Sequence, residues 1–211
     1  MAKLFSLAAV LCLCLMTTAL ATADTIQLIL DGELELDAAA FDLENGDPVQ
    51  LRFQFDSALQ DGMTSLETIE FQINGQDFLL PADQSLVNSF LAVSQGGFSI
   101  QNSFNSFSGN LNGIDLNLQI FTAVPLVASF STDVIDADTD PFPGDLEFSD
   151  IDSSTSGVFQ LTPGDLGDPN EGILFTVNFT NLTVTSIPEP NAAVLVLLGF
   201  VSASVTRHRR Q

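Results

Sequence analysis

Tryptophan and tyrosine are absent from the 211 residues, lysine and arginine together number 5, and there is a single histidine. Their distribution sharpens each deficit. Cys12 and Cys14 fall in the first 23 residues, while Lys3, Arg207, His208, Arg209 and Arg210 lie near the two ends, so Arg52 is the only basic residue between Asp24 and Glu189. All 27 acidic residues lie in that interval, and one base against 27 acids sets its formal charge at −26.

Each absence excludes a chemistry. Without His, Cys or Lys the interval cannot build a Ser-His-Asp triad, a Cys-His pair or a Ser-Lys dyad. Zinc, haem and iron-sulfur centres lose their usual ligands. With one cation the interval cannot displace counterions from phosphate, so nucleic acid is repelled, and an anionic membrane surface is repelled likewise. Neither a G-x-x-x-x-G-K-[ST] loop nor a G-x-G-x-x-G fingerprint occurs. Carboxylates are the acid-base groups that remain.

What is present begins at the ends. Lys3 supplies a positive start, Leu4 to Leu15 an apolar stretch, and Ala21-Thr22-Ala23 a small-x-small cleavage site before Asp24. This order predicts a signal peptide over 1–23, cut after Ala23, which removes both cysteines and leaves no disulfide. Cys12 and Cys14 each follow a Leu, which argues against a lipoprotein site. At the other end, Pro188-Glu189-Pro190 precedes Asn191, a good N-cap, and an uncharged run from Ala192 to Val205. Arg207, Arg209 and Arg210 close it. A helix of about 15 residues reaches about 22 Å, short of an average hydrocarbon core of about 30 Å, so the tail is expected to anchor marginally, arginines inside.

The order Pro-Glu-Pro, hydrophobic helix and terminal arginine cluster resembles the PEP-CTERM sorting signal of Gram-negative bacteria. The resemblance covers 187–211. It implies recognition by an exosortase, transient anchoring in the inner membrane after export, and delivery to the cell surface or the extracellular space. It assigns the sorting role to Pro188, Glu189, Pro190, Arg207, Arg209 and Arg210.

Between the two signals, residues 24–186 suit one hydrophobic core. Val49, Leu51, Phe53 and Phe55 alternate with polar residues, as do Ile69, Phe71 and Ile73, then Ile114, Leu116, Leu118 and Ile120, then Ile173, Phe175, Val177 and Phe179. Period two predicts strands. Asn74-Gly75 before Phe78 predicts a two-residue hairpin. The apolar parity switches to Leu182 and Val184, which predicts a bulge or bend near Asn181. Further turns are expected at Asp31-Gly32, Asn45-Gly46-Asp47-Pro48, Asp61-Gly62, Gly96-Gly97, Asn112-Gly113 and Pro163-Gly164. Leu86, Val87, Phe90 and Leu91 fit a helical face within 81–93, and also fit a strand. Residues 103–112, rich in Ser, Asn and Gly, read as a loop or irregular edge strand.

These signals predict a mostly β fold: a single antiparallel β-sandwich or jelly-roll-like domain, its phenylalanines between the sheets, flanked by an N-terminal signal helix and a C-terminal hydrophobic helix. The phrases Gly46-Asp47-Pro48-Val49 and Ile69-Glu70-Phe71-Gln72-Ile73-Asn74-Gly75 also resemble ectodomains of PEP-CTERM proteins.

One constellation offers cofactor chemistry. Asp136, Asp138 and Asp140 alternate, and Glu147 stands twelfth counting from Asp136, the spacing with which a loop surrounds calcium. Pro141 takes the place where such a loop wants glycine, so a solvated acidic loop competes with a calcium site. Asn178-Phe179-Thr180 and Asn181-Leu182-Thr183 are formal sequons that read as sheet residues. The resulting expectation is a non-enzymatic, exported surface or matrix protein, associated with exopolysaccharide and biofilm. A calcium-dependent carbohydrate- or partner-binding module is the alternative, and a two-carboxylate hydrolase would need a pair that the sequence does not mark.

Overall fold

Alternation becomes pairing wherever one face of a strand is apolar and the other polar, because only the extended chain sends successive side chains to opposite sides. The computed structural model describes residues 25–36, 40–103, 105–120, 125–136, 138–164 and 172–187. Residues 1–24 and 188–211, where the signal peptide and the sorting tail are expected, lie outside the described residues, and Thr25–Ile187 forms a unit of its own. That unit is mostly strand, and its pairings are antiparallel. Among the described residues there is no α-helix and none long and apolar enough to cross a membrane.

Four long strands form a wall: β1 (Thr25–Leu36), β2 (Pro48–Asp56), β3 (Met63–Ile73) and β12 (Ile173–Ile187), ordered β3-β2-β1-β12. From its two outer edges the chain closes twice. The first return comprises β4 (Gln76–Leu79), β7 (Ser106–Leu111), β8 (Ile114–Ile120) and β11 (Phe159–Pro163), running from Glu70–Ile73 of β3 to Ile173–Phe175 of β12. With the wall it makes a closed ring of eight paired strands, which covers the wall's outer edges at Glu70–Ile73 and Ile173–Phe175. The second return comprises β5 (Ser89–Ser94), β6 (Gly97–Asn102), β9 (Leu126–Ser131) and β10 (Ser153–Ser156), starting from Met63–Ser65 of β3. It reaches β12 by a side chain, the Val177 N–H donating to Ser156 Oγ at 2.8 Å.

Each return encloses its own chain of phenylalanine rings. Phe71 contacts Phe107 and Phe159, and Phe159 stacks on Phe175, with centroids 4.9 to 5.6 Å apart. In the second, Phe142 meets Phe55 and Phe98, Phe98 stacks on Phe130, and Phe130 meets Phe179. The Phe stripe is core, as the alternation implied.

Several local signals act as expected. Asn74 and Gly75 both take positive φ, 49° and 77°, and join β3 to β4 through the two-residue turn whose twist matches a hairpin. The parity switch in β12 is a bulge: Asp31 pairs with Asn181 and Gly32 with Phe179, so Thr180 has no opposite number and Leu182 regains the buried face.

Others are corrected. Asp31-Gly32 is no turn but the interior of β1, directly across from that bulge. Glycine is needed there because a Cβ would stand 2.6 Å from Val177 Cγ1 and 2.7 Å from the Asn178 carbonyl oxygen. Residues 81–88 form no helix; Ala82 and Asp83 make a turn and the chain enters β5 at Ser89. Val87 is exposed whereas Leu91 is buried, so the two do not share the buried face that a helix would give them. Residues 106–111 are no irregular edge: β7 pairs with β4 on one side and β8 on the other. Its alternation was hidden because Gly109 stands between the buried Phe107 and Leu111, where a Cβ would lie 2.6 Å from the Asp77 carbonyl oxygen.

Candidate functional site

Pro188, Glu189, Pro190, Arg207, Arg209 and Arg210, expected to carry sorting, and Ala21 and Ala23, expected to mark cleavage, lie outside the described residues. The acidic loop is described almost throughout. Asp136 Oδ1 accepts the Asp138 N–H at 2.9 Å and the Thr139 hydroxyl at 3.2 Å, while the Asp136 N–H donates to Thr139 Oγ1 at 2.9 Å. Such local bonds are the usual use of Asp in a turn. Asp140 Oδ1 instead accepts the Leu59 N–H at 3.1 Å, from the segment between β2 and β3. The Glu147 N–H donates to Asp150 Oδ2 at 2.9 Å at the start of a short 3₁₀ turn, Phe148–Asp150, and Glu147 forms a bridge with Thr183 of β12.

The structure therefore gathers Asp136 and Asp138 in one turn and gives Asp140 and Glu147 separate partners. Among the described residues, no three His, Cys, Asp or Glu side chains stand close enough to hold a metal ion. Ile135, Phe142 and Leu146 of the same loop are buried, and the Phe142 N–H donates to the Ser57 carbonyl at 2.9 Å. The loop is a cover on the second phenylalanine cluster, with acids outside and three apolar anchors inside. Its anchors were visible in the sequence as isolated apolar residues among carboxylates.

A second polar array was not singled out from sequence. On the outer face of the wall, Glu70, Arg52, Ile29 and Thr183 form one cross-strand row, and Gln72, Gln50, Asp31 and Asn181 the next. Arg52 Nε donates to Gln50 Oε1 at 2.6 Å, Gln50 Nε2 to Asp31 Oδ1 at 2.6 Å, and Asn181 Nδ2 to Asp31 Oδ2 at 3.1 Å. Arg52 also reaches Glu70, Nη1 to Oε2 3.8 Å, with both side chains more than a third exposed. The signal that could have found it is the alternation Gln50-Arg52-Gln54 on the polar parity of β2. Chemically the array is a flat surface of amides and carboxylates around one cation. A guanidinium stays charged and cannot exchange protons at ordinary pH, so Arg52 offers the array a fixed charge and donors but no general acid or base.

The hydroxyl-rich hollow over the second return has the same limitation. Ser94, Ser99, Ser129, Ser131, Ser153 and Thr155 line it, with no acid or base among its lining residues. A hydroxyl without an adjacent base is a weak nucleophile. The two sequon asparagines are exposed on β12, Asn181 held by Asp31.

Within the second return lies one buried polar knot. Asn102 Nδ2 donates to Ser89 Oγ at 2.6 Å and to Asn105 Oδ1 at 2.8 Å, and Asn105 binds the backbone of Ser85 and Val87. It pins the irregular segment before β5. Comparison with family models, with curated proteins and with solved structures finds no match to the chain.

Proposed function

We propose that this chain is an exported, non-catalytic surface or matrix protein, sorted by an exosortase through residues 187–211 and retained among extracellular polysaccharide. The observation that carries the reading is the ordered tail: Pro188-Glu189-Pro190, an uncharged apolar run, and Arg207, Arg209 and Arg210. The export machinery and the exosortase are its partners in transit, and the inner membrane holds it through the tail. On this reading the β unit is a single sandwich or jelly-roll-like domain between two removable helices.

The β unit supports the reading in two ways. Thr25 pairs with Ile187, so the ends of the domain lie side by side and cuts beyond both leave every strand pairing intact. The described carboxylates of the acidic loop serve turns and caps, and no thiol, imidazole or amine is available between Thr25 and Ile187.

Intact-mass analysis of protein recovered from its native surface, beside a Glu189→Ala variant, tests the proposal. Loss of the tail in the native protein and its retention in the variant are expected. A native mass that still includes Arg209 and Arg210 would sink the sorting assignment.

A further inference from the structure

Three Asn-Gly pairs occur in the β unit, at 45–46, 74–75 and 112–113, and all six residues are exposed. Chemically they are equivalent. In each, the glycine backbone nitrogen can attack the Asn side-chain carbonyl carbon, since glycine has no side chain to hinder closure of the five-membered ring. The attacking nitrogen must first be released from any hydrogen bond it makes, and the carbonyl must be free to turn toward it.

The structure separates the three. At Asn45 both groups are held: the Gly46 N–H donates to the Leu34 carbonyl at 2.9 Å, and Asn45 Oδ1 accepts the Leu36 N–H at 2.5 Å. At Asn112 the nucleophile is held: the Gly113 N–H donates to Asn110 Oδ1 at 3.0 Å, and Asn110 is oriented by Asp115, Nδ2 to Oδ1 2.7 Å. At Asn74 neither is held. Its own N–H donates to Pro48, but within the described residues neither the Gly75 N–H nor the Asn74 side chain makes a hydrogen bond.

Asn74 and Asn112 form a natural control. Both open a two-residue hairpin turn with positive φ at both positions, 49° and 77° in one, 52° and 86° in the other. Turn type and exposure are thus matched, and the partner of the glycine N–H is what differs.

We infer that Asn74 is a site of spontaneous deamidation in the folded protein, and that Asn45 and Asn112 are shielded from it. Deprotonated Gly75 nitrogen bonds to Asn74 Cγ, the Cγ–Nδ2 bond breaks, and ammonia leaves. Water then opens the succinimide at either carbonyl, giving an aspartyl or isoaspartyl residue. Water is the only co-reactant and no redox step occurs. The product adds a negative charge at position 74. In its isoaspartyl form it also adds a backbone methylene to the turn joining β3 to β4, where the eight-stranded ring closes.

The test is peptide mapping by mass spectrometry after incubating the intact protein at mildly alkaline pH, folded and in urea. In the folded protein, position 74 should gain the mass of NH₂ replaced by OH severalfold faster than positions 45 and 112. In urea the three rates should converge. An Asn110→Ala variant should bring position 112 toward the rate at position 74; the fold of the variant is checked by its urea midpoint. Equal folded rates at 74 and 112, a lead for 45 or 112, or no folded reaction at 74 while the denatured chain reacts, would each overturn the inference.

Discussion

The ring of Phe142, from the acidic loop, stands edge-on to that of Phe55 in β2, with centroids 5.3 Å apart and planes at 87°. It meets Phe98 of β6 in the same manner. A loop of carboxylates is thus fastened through its one aromatic residue to both the wall and the second return. Phe142→Ala should lower unfolding free energy by about 3 to 5 kcal/mol, the range for emptying a buried Phe site. Urea denaturation measures it; a loss under about 1 kcal/mol would mean that the loop does not cover the core.

Asp140 ties the same loop to Leu59 through the N–H bond to its carboxylate. Asp140→Ala should cost about 1 to 3 kcal/mol, the range for stranding a partly buried donor. Because this bond needs no cation, thermal melts in calcium and in chelator should shift equally. A larger loss in calcium would instead place Asp140 in a cation site.

Gly32 faces the bulge at Thr180, where an added Cβ would overlap Val177 and the Asn178 carbonyl. Gly32→Ala should destabilise by about 1 to 3 kcal/mol through overpacking. Val177→Ala on the same background should recover only part of the loss, because the clash with backbone remains. Full recovery would show that the side chain alone sets the limit.

The Arg52–Glu70 pair spans 3.8 Å with both side chains well exposed. Glu70→Gln should change stability by less than about 1 kcal/mol, and added salt should shrink even that. A change of several kcal/mol in a salt-independent manner would contradict the solvent-screened geometry.

Asn105 receives bonds from Val87 and Asn102 and donates to Ser85. Asn105→Ala should cost about 1 to 3 kcal/mol by leaving buried groups unpaired. Hydrogen exchange should accelerate first in residues 81–88, which have no ladder of their own. Uniform acceleration across β5 and β6 would place the knot's role in the sheet.

Much of the fold was legible because alternation in Val49–Phe55 and Ile173–Phe179 leaves only one face that can be buried. The bulge was legible for the same reason: a break in parity at Leu182 has no other cheap cause. What sequence obscured were places where a neighbour's backbone decides. Gly32 and Gly109 read as turn or loop signals, yet each marks a strand too closely approached to carry a side chain. The pattern at Leu86 and Val87 fits two periods at once, and only docking against Asn105 distinguishes them. In the acidic loop the carboxylates drew attention, while the residues that fix its course are Ile135, Phe142 and Leu146. The Arg52 array joins strands far apart in sequence, so no local window contains it.

The strand order carries a consequence for timing. β12 is the last strand among the described residues, yet it lies between the first of them, β1, and β11. Until residues 173–187 are available, β1 keeps one bare edge, the eight-stranded ring stays open, and Ser156 has no Val177 to hold. A chain made from its N-terminus therefore cannot complete these pairings before residues 173–187 have emerged, and the pairing of Thr25 with Ile187 waits for the end of β12.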